Sequence, residues 1–227
     1  MNHNIEMIDE VSILLDDLTE DIVFVGGAIT TFLITDPILS DFRPTKDVDV
    51  VVEVSSYFEY TQLEKFLREK GFSQRIGSKD PICRWMIGST VVDFMPTDTK
   101  ILGFSNRWYK DVIDNYFFAE VPCGKSIKIV NPPYFIGTKI EAFLWRGKND
   151  FIMSHDIEDI ITVIDGRKEL PEEIRNAPVE LRQYIQNYLL SYEENYQFRD
   201  AISGYLPSDP DSQERFPIIL KRIQEIY

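Results

Sequence analysis

The stretch Asp47-Val48-Asp49-Val50-Val51-Val52-Glu53-Val54 constrains the fold of this chain more than any other. Its valine content marks it as a strand, and a run this apolar is built to be buried in a sheet. Two carboxylates interrupt it. Side chains at i and i+2 point to one face, with Cα atoms about 6.5–7 Å apart, so Asp47 and Asp49 share a face. A second apolar run, Thr90-Val91-Val92-Asp93-Phe94-Met95, carries a lone acid. Where these strands are neighbours, three carboxylates meet. At about 5 Å and an effective dielectric near 20, each pair repels by roughly 3 kcal/mol. That cost requires a counter-charge or a retained proton. A divalent cation satisfies it: Mg²⁺ takes carboxylate oxygens, phosphate oxygens and water, and two such ions clamp both sides of a phosphoryl displacement. The plainer alternative is a solvated edge face, with Asp93 paired to an arginine or lysine.

The surroundings of the valine strand fit an α/β (α+β) sheet domain. Ile5, Ile8, Val11, Leu15 and Leu18 predict an opening helix. Ile22-Val23-Phe24-Val25 predicts a buried strand ending in the turn Gly26-Gly27, followed by a helix over residues 28–35. Phe58 to Lys70 reads as a helix closed by Gly71. Strands are expected at 72–76, 82–87, 90–95 and 127–130, and Gly88-Ser89 signals a hairpin between the second and third of these. Asn131-Pro132-Pro133 is the clearest joint. Beyond it the pattern is almost wholly helical, with a stripe of Ile136, Ile140, Phe143 and Leu144, another of Ile157, Ile160, Ile161 and Ile164, and two or three further helices. The expectation is a domain over 1–130 with a mixed sheet flanked by helices, and a C-terminal helical bundle over 131–227.

Composition narrows the function. With 24 Lys+Arg against 38 Asp+Glu the formal charge is −14, which excludes a simple basic-face nucleic-acid binder and an electrostatic anchor on anionic membrane. No basic-then-apolar leader and no membrane-length apolar run is present, so a cytoplasmic protein is expected. Two cysteines, Cys83 and Cys123, lack a CxxC pattern and read as reduced thiols. His3 and His155 are too few for a zinc site built on several histidines. Arg84-Trp85 and Arg107-Trp108 offer places to stack a base or an acceptor, with packing the better reading of both.

Taken in order, the Gly26-Gly27 turn, the pair Asp47-Val48-Asp49 and the later Asp93 resemble the pattern of the nucleotidyltransferase superfamily. That fold is shared by polymerase-beta-like enzymes, aminoglycoside nucleotidyltransferases and CCA-adding enzymes. The resemblance covers about residues 20–100. It implies an Mg²⁺- or Mn²⁺-dependent transferase that moves a nucleoside monophosphate from a triphosphate to an acceptor hydroxyl. Asp47, Asp49 and Asp93 would hold the metals, Asp93 would serve as base toward the acceptor, and Gly26 and Gly27 would contact the β- and γ-phosphates. Two departures stand out: Ala28 follows the glycines where the family has a serine, and the gap before the acid pair is long. Within that gap Arg43, Thr45 and Lys46 are expected near phosphate.

The helical half adds a second resemblance. Lys139, Ala142 and Arg146, followed by Asp156 and Asp159 three apart on one helix face, are similar to the C-terminal signature of abortive-infection (AbiE-type) toxin nucleotidyltransferases. That likeness implies Lys139 on the triphosphate as a point cation, with Asp156 orienting it. It also implies a toxin or phage-defence role with tRNA as the acceptor RNA and a cognate antitoxin as partner, while a small-molecule acceptor, as in antibiotic nucleotidylation, stays open. The alternative on the residues alone is structural, with Ser154 capping the helix and Asp156 in its first turn. A non-catalytic nucleotide-binding protein that keeps the fold is the rival reading of the whole chain.

Overall fold

The valine strand, β2 (Asp47–Val52), lies third from one edge of a mixed sheet, six-stranded among the described residues. The computed structural model describes residues 2–36, 43–74, 80–103 and 106–227. The other strands are β1 (Ile22–Val25), β3 (Arg84–Ile87), β4 (Thr90–Pro96), β5 (Tyr116–Glu120) and β6 (Ser126–Val130), in the spatial order β3-β4-β2-β1-β6-β5. β2 runs parallel to β4 and antiparallel to β1, β1 runs parallel to β6, and the pairs β3–β4 and β5–β6 are antiparallel. This is an α+β architecture with an open sheet. Burial along β2 alternates at first, with Asp47 and Asp49 half-buried around Val48, and becomes continuous over Val50–Val52. The acid-bearing face is thus open at one end of the strand and covered at the other.

Helices α1 (His3–Leu15), α2 (Thr30–Leu33), α3 (Tyr57–Glu69), α4 (Thr99–Leu102) and α5 (Tyr109–Val112) accompany the strands. Asn2 caps α1 by accepting from the Asn4 amide at 2.9 Å, and Ser56 caps α3. The stretch expected to be one helix over 28–35 is instead a 3₁₀ turn, Gly27–Ile29, followed by the single turn of α2. β5 was not expected. It is half-exposed on both faces, as suits an edge strand, and the short run Tyr116-Phe117-Phe118-Ala119 is the sequence signal for it. In the segment expected as a strand over 72–76, Ser73 makes a lone bridge to Met86 and residues 75–76 lie outside the described residues.

The remainder is helical: α6 (Pro132–Arg146), α7 (His155–Gly166), α8 (Leu170–Arg175), α9 (Val179–Glu193), α10 (Tyr196–Tyr205), α11 (Pro210–Gln213) and α12 (Phe216–Gln224). Beyond α7 there are therefore five helices, not two or three. The Pro132-Pro133 joint is itself the first turn of α6, where proline's missing N–H costs no hydrogen bond. Phe143, Phe151, Tyr192 and Phe198 form an aromatic cluster within this half, with ring centroids 4.8–5.9 Å apart. No helix among the described residues is long and apolar enough to cross a membrane.

The chain divides into two compact units, Met1–Phe32 with Phe42–Asn131, and Leu33–Asp41 with Pro132–Tyr227. The short excursion into the helical unit has a local cause. The Thr35 and Asp36 amides both donate to the Gly166 carbonyl at 2.9 Å, Arg167 donates to the Leu33 carbonyl, and Arg215 ion-pairs with Asp36 and Asp165. These bonds satisfy a carbonyl that the end of α7 leaves open. Ile34 packs where Gly166 has no side chain, 2.4 Å from the position of a Cβ there.

Candidate active site

Asp49 stands opposite Val25 of β1 and opposite Asp93 of β4, and Asp47 stands opposite Val91. Register partners on adjacent strands project to the same side, so the three acids share one face of the sheet. The Gly88-Ser89 turn places Ile87 opposite Thr90, which carries the register back to Arg84 opposite Asp93. Arg84 grips both Asp93 oxygens, with Nε 2.9 Å from Oδ1 and Nη2 2.6 Å from Oδ2, and Nη2 reaches Asp47 Oδ2 at 3.4 Å. Its hydrogen bonds to Asp93 raise the guanidinium's already high pKa further, so it is charged at every working pH. Trp85 is buried, as the packing reading of Arg84-Trp85 expects, with Arg68 stacked on its ring at 4.9 Å, and the Gly88-Ser89 hairpin is the sequence signal that leads to the Arg84–Asp93 pair.

Gly26 follows β1 directly and brings the backbone against Asp49. Its φ is +75°, and a Cβ there would lie 2.0 Å from Asp49 Oδ2 and 2.7 Å from Cγ. Only glycine permits that approach. Backbone strain at such a φ,ψ pair costs a side-chain-bearing residue about 1–3 kcal/mol, and the carboxylate has to move as well. Gly26→Ala is therefore expected to lower the melting temperature by roughly 5 °C in a circular-dichroism melt. An unchanged melt would refute the close approach of Gly26 to Asp49.

The loop before β2 is tied to α1 through Asn4, a residue with no motif around it to mark it. Asn4 is 1% exposed, donates to the Arg43 carbonyl at 3.1 Å and accepts from the Thr45 amide at 2.9 Å. Thr45 is buried and its hydroxyl donates to the Asp47 carbonyl at 3.2 Å, so this side chain fixes the entry to β2. Lys46 is exposed and Arg43 half-buried. Residues 37–42 of the expected lip lie outside the described residues. Cys83 is buried beside the acids, and burial together with the Asp93 charge pushes its thiol up to about 12, which leaves it unreactive at neutral pH. Cys123 is exposed and free.

In the helical unit the Lys139 ammonium sits 2.6 Å from Asp159 Oδ2 and 3.4 Å from Asp156 Oδ1, all three residues under 8% exposed. Arg146 closes over Asp156 with bonds of 2.9 and 2.7 Å. Burial pushes the Asp156 carboxyl up, but the Arg146 hydrogen bonds and the Lys139 and Arg146 charges outweigh it and hold the group below its ordinary value. Ser154 caps α7, accepting from the Ile157 amide at 3.4 Å. Lys139 thus sits buried between two buried carboxylates, and Arg146 adds a second positive charge to Asp156 from the surface.

Asp47, Asp49 and Asp93 offer oxygen atoms only, a donor set that suits Mg²⁺ or Mn²⁺ better than softer metals. As placed, no three carboxylate, thiol or imidazole groups among the described residues are grouped to hold an ion, and Arg84 occupies the space between Asp47 and Asp93. No protein-family model matches the sequence, and no curated protein matches it either, so the functional reading rests on this geometry.

Proposed function

We propose that the chain is a divalent-metal-dependent nucleotidyltransferase of the polymerase-beta-like fold. The observation that carries the proposal is the register: three acids on adjacent parallel strands beside a glycine turn that has no room for a Cβ. Repulsion among three carboxylates is a cost to folding, and a phosphate-bearing substrate with its metal turns it into binding. Asp47, Asp49 and Asp93 would hold the metal, which supplies charge neutralisation and a template for the phosphates. The acceptor oxygen attacks the α-phosphorus, the bond from that phosphorus to the bridging oxygen of the β-phosphate breaks, and pyrophosphate leaves with the electron pair. The hydroxyl proton passes to Asp93. Positioning and electrostatics provide most of the rate.

The test is incubation with each α-labelled nucleoside triphosphate, Mg²⁺ and either total RNA or a metabolite extract. Transfer of label with stoichiometric pyrophosphate is expected. Absence of both with every acceptor fraction would overturn the proposal. The −14 charge favours a small acceptor over one with a long nucleic-acid footprint. A second reading, a nucleotide-binding protein without turnover, is favoured by the Arg84–Asp93 pair, which already neutralises one acid. Calorimetry that shows triphosphate binding without pyrophosphate release would select it.

A further inference from the structure

Arg84 contacts two of the three acids, Asp93 and Asp47. It takes both oxygens of Asp93, whose side chain is 9% exposed, while a third of its own side chain and more than a third of the Asp47 side chain remain open to solvent. Asp80 adds to the negative field around it. A guanidinium and a divalent cation both seek the Asp93 oxygens, and a bidentate arginine takes a lone pair on each and sets a positive charge where the metal would approach. Because arginine does not deprotonate, the guanidinium can yield only by moving.

We infer that Arg84 is a resident counter-ion that competes with the metal for Asp93 and Asp47, and that nucleotide phosphate relieves the competition by giving the displaced guanidinium a new anionic partner. The inference rests on the three-acid reading above. It assigns Arg84 a positioning role and makes metal and nucleotide binding cooperative: metal alone binds weakly, and each ligand raises the affinity for the other by the same factor. Without Arg84 the acid face would be preloaded with metal whether or not nucleotide were present.

The test is Mn²⁺ binding, read by the paramagnetic resonance signal of the free ion, with and without a non-hydrolysable α,β-methylene triphosphate. In the absence of nucleotide, Arg84→Met is expected to bind Mn²⁺ at least ten-fold more tightly than the wild type. The enhancement by the nucleotide analogue should shrink by a similar factor. Arg84→Gln, which keeps a hydrogen bond to Asp93 without the charge, covers the case in which the methionine variant fails to fold and should show the same direction. Arg68→Met is the control for general charge removal, since Arg68 stacks on Trp85 and is not bonded to the acids; its Mn²⁺ affinity should stay within two-fold of wild type. Equal affinity in wild type and both Arg84 variants, with Asp49→Asn binding none, would overturn the competition and leave the three-acid reading standing. No saturable Mn²⁺ binding in any variant, even with nucleotide, would overturn both.

Discussion

On the proposed nucleotidyltransferase reading, Asp49→Asn is expected to lower the rate of nucleotidyl transfer by roughly 10³-fold while the protein melts within a few degrees of wild type. Asparagine keeps the shape of the side chain that packs against Gly26, with one acceptor oxygen exchanged for an amide donor. What disappears is a charge that would ligate the metal. Metal stabilisation of the transferring phosphoryl group contributes several kcal/mol, and about 4 kcal/mol corresponds to roughly three powers of ten in rate. Removing one of three like charges also relieves repulsion, so stability should hold or rise. Asp49 is the better probe because replacing Asp93 would at the same time release Arg84. Pyrophosphate release measured beside a thermal melt separates the two effects. Turnover within ten-fold of wild type would remove Asp49 from the site.

Lys139→Met has the largest expected effect on stability. The lysine side chain is 8% exposed and lies between two buried carboxylates, so its removal leaves charge without its counter-charge in a dry place. Breaking a buried pair from one side costs about 3–5 kcal/mol. A fall of roughly 10 °C in melting temperature is expected. Adding Asp159→Asn to the variant should recover much of it, because the uncompensated charge goes too. The pH dependence follows from Asp156, whose carboxyl is held below 3.8 in the folded protein by the Arg146 hydrogen bonds and the Lys139 and Arg146 charges, against the burial that opposes them. Its contribution is complete above 3.8 and is lost as the pH falls through the lower folded value. The wild type should therefore lose stability below pH 3.8, and Lys139→Met should show a shallower loss. A melt of Lys139→Met within 2 °C of wild type would exclude a structural duty for this lysine.

The parts of the site legible in the sequence are those fixed by short-range rules. Asp47 and Asp49 share a face because strands repeat every two residues. Gly88-Ser89 is a hairpin turn, so the opposition of Arg84 and Asp93 is within reach of simple counting along the two strands. Asn4 was out of reach, since an asparagine near a chain start carries no local sign that it will clasp a loop some forty residues away. The single-turn α2 in place of a longer helix has a similar origin: Thr35 and Asp36 give their amides to Gly166, a partner 130 residues further on, and no periodicity encodes that choice. β5 is a different case: Tyr116-Phe117-Phe118-Ala119 is a short β-favouring run that does announce a strand, while its half-exposed edge position is not written in those residues.

The fastening of residues 33–36 to the end of α7 has a consequence for how the molecule can be taken apart. By its chain path the protein passes from one unit to the other at Phe32–Leu33, back at Asp41–Phe42, and again at Asn131–Pro132. A scission at the proline joint therefore does not release two self-sufficient pieces. The N-terminal fragment would carry Leu33 to Asp36 without the Gly166 carbonyl, Arg167 and Arg215, and the C-terminal fragment would expose the same groups unpaired. Dissection by truncation would injure both halves, and substitution is the route by which their duties can be told apart.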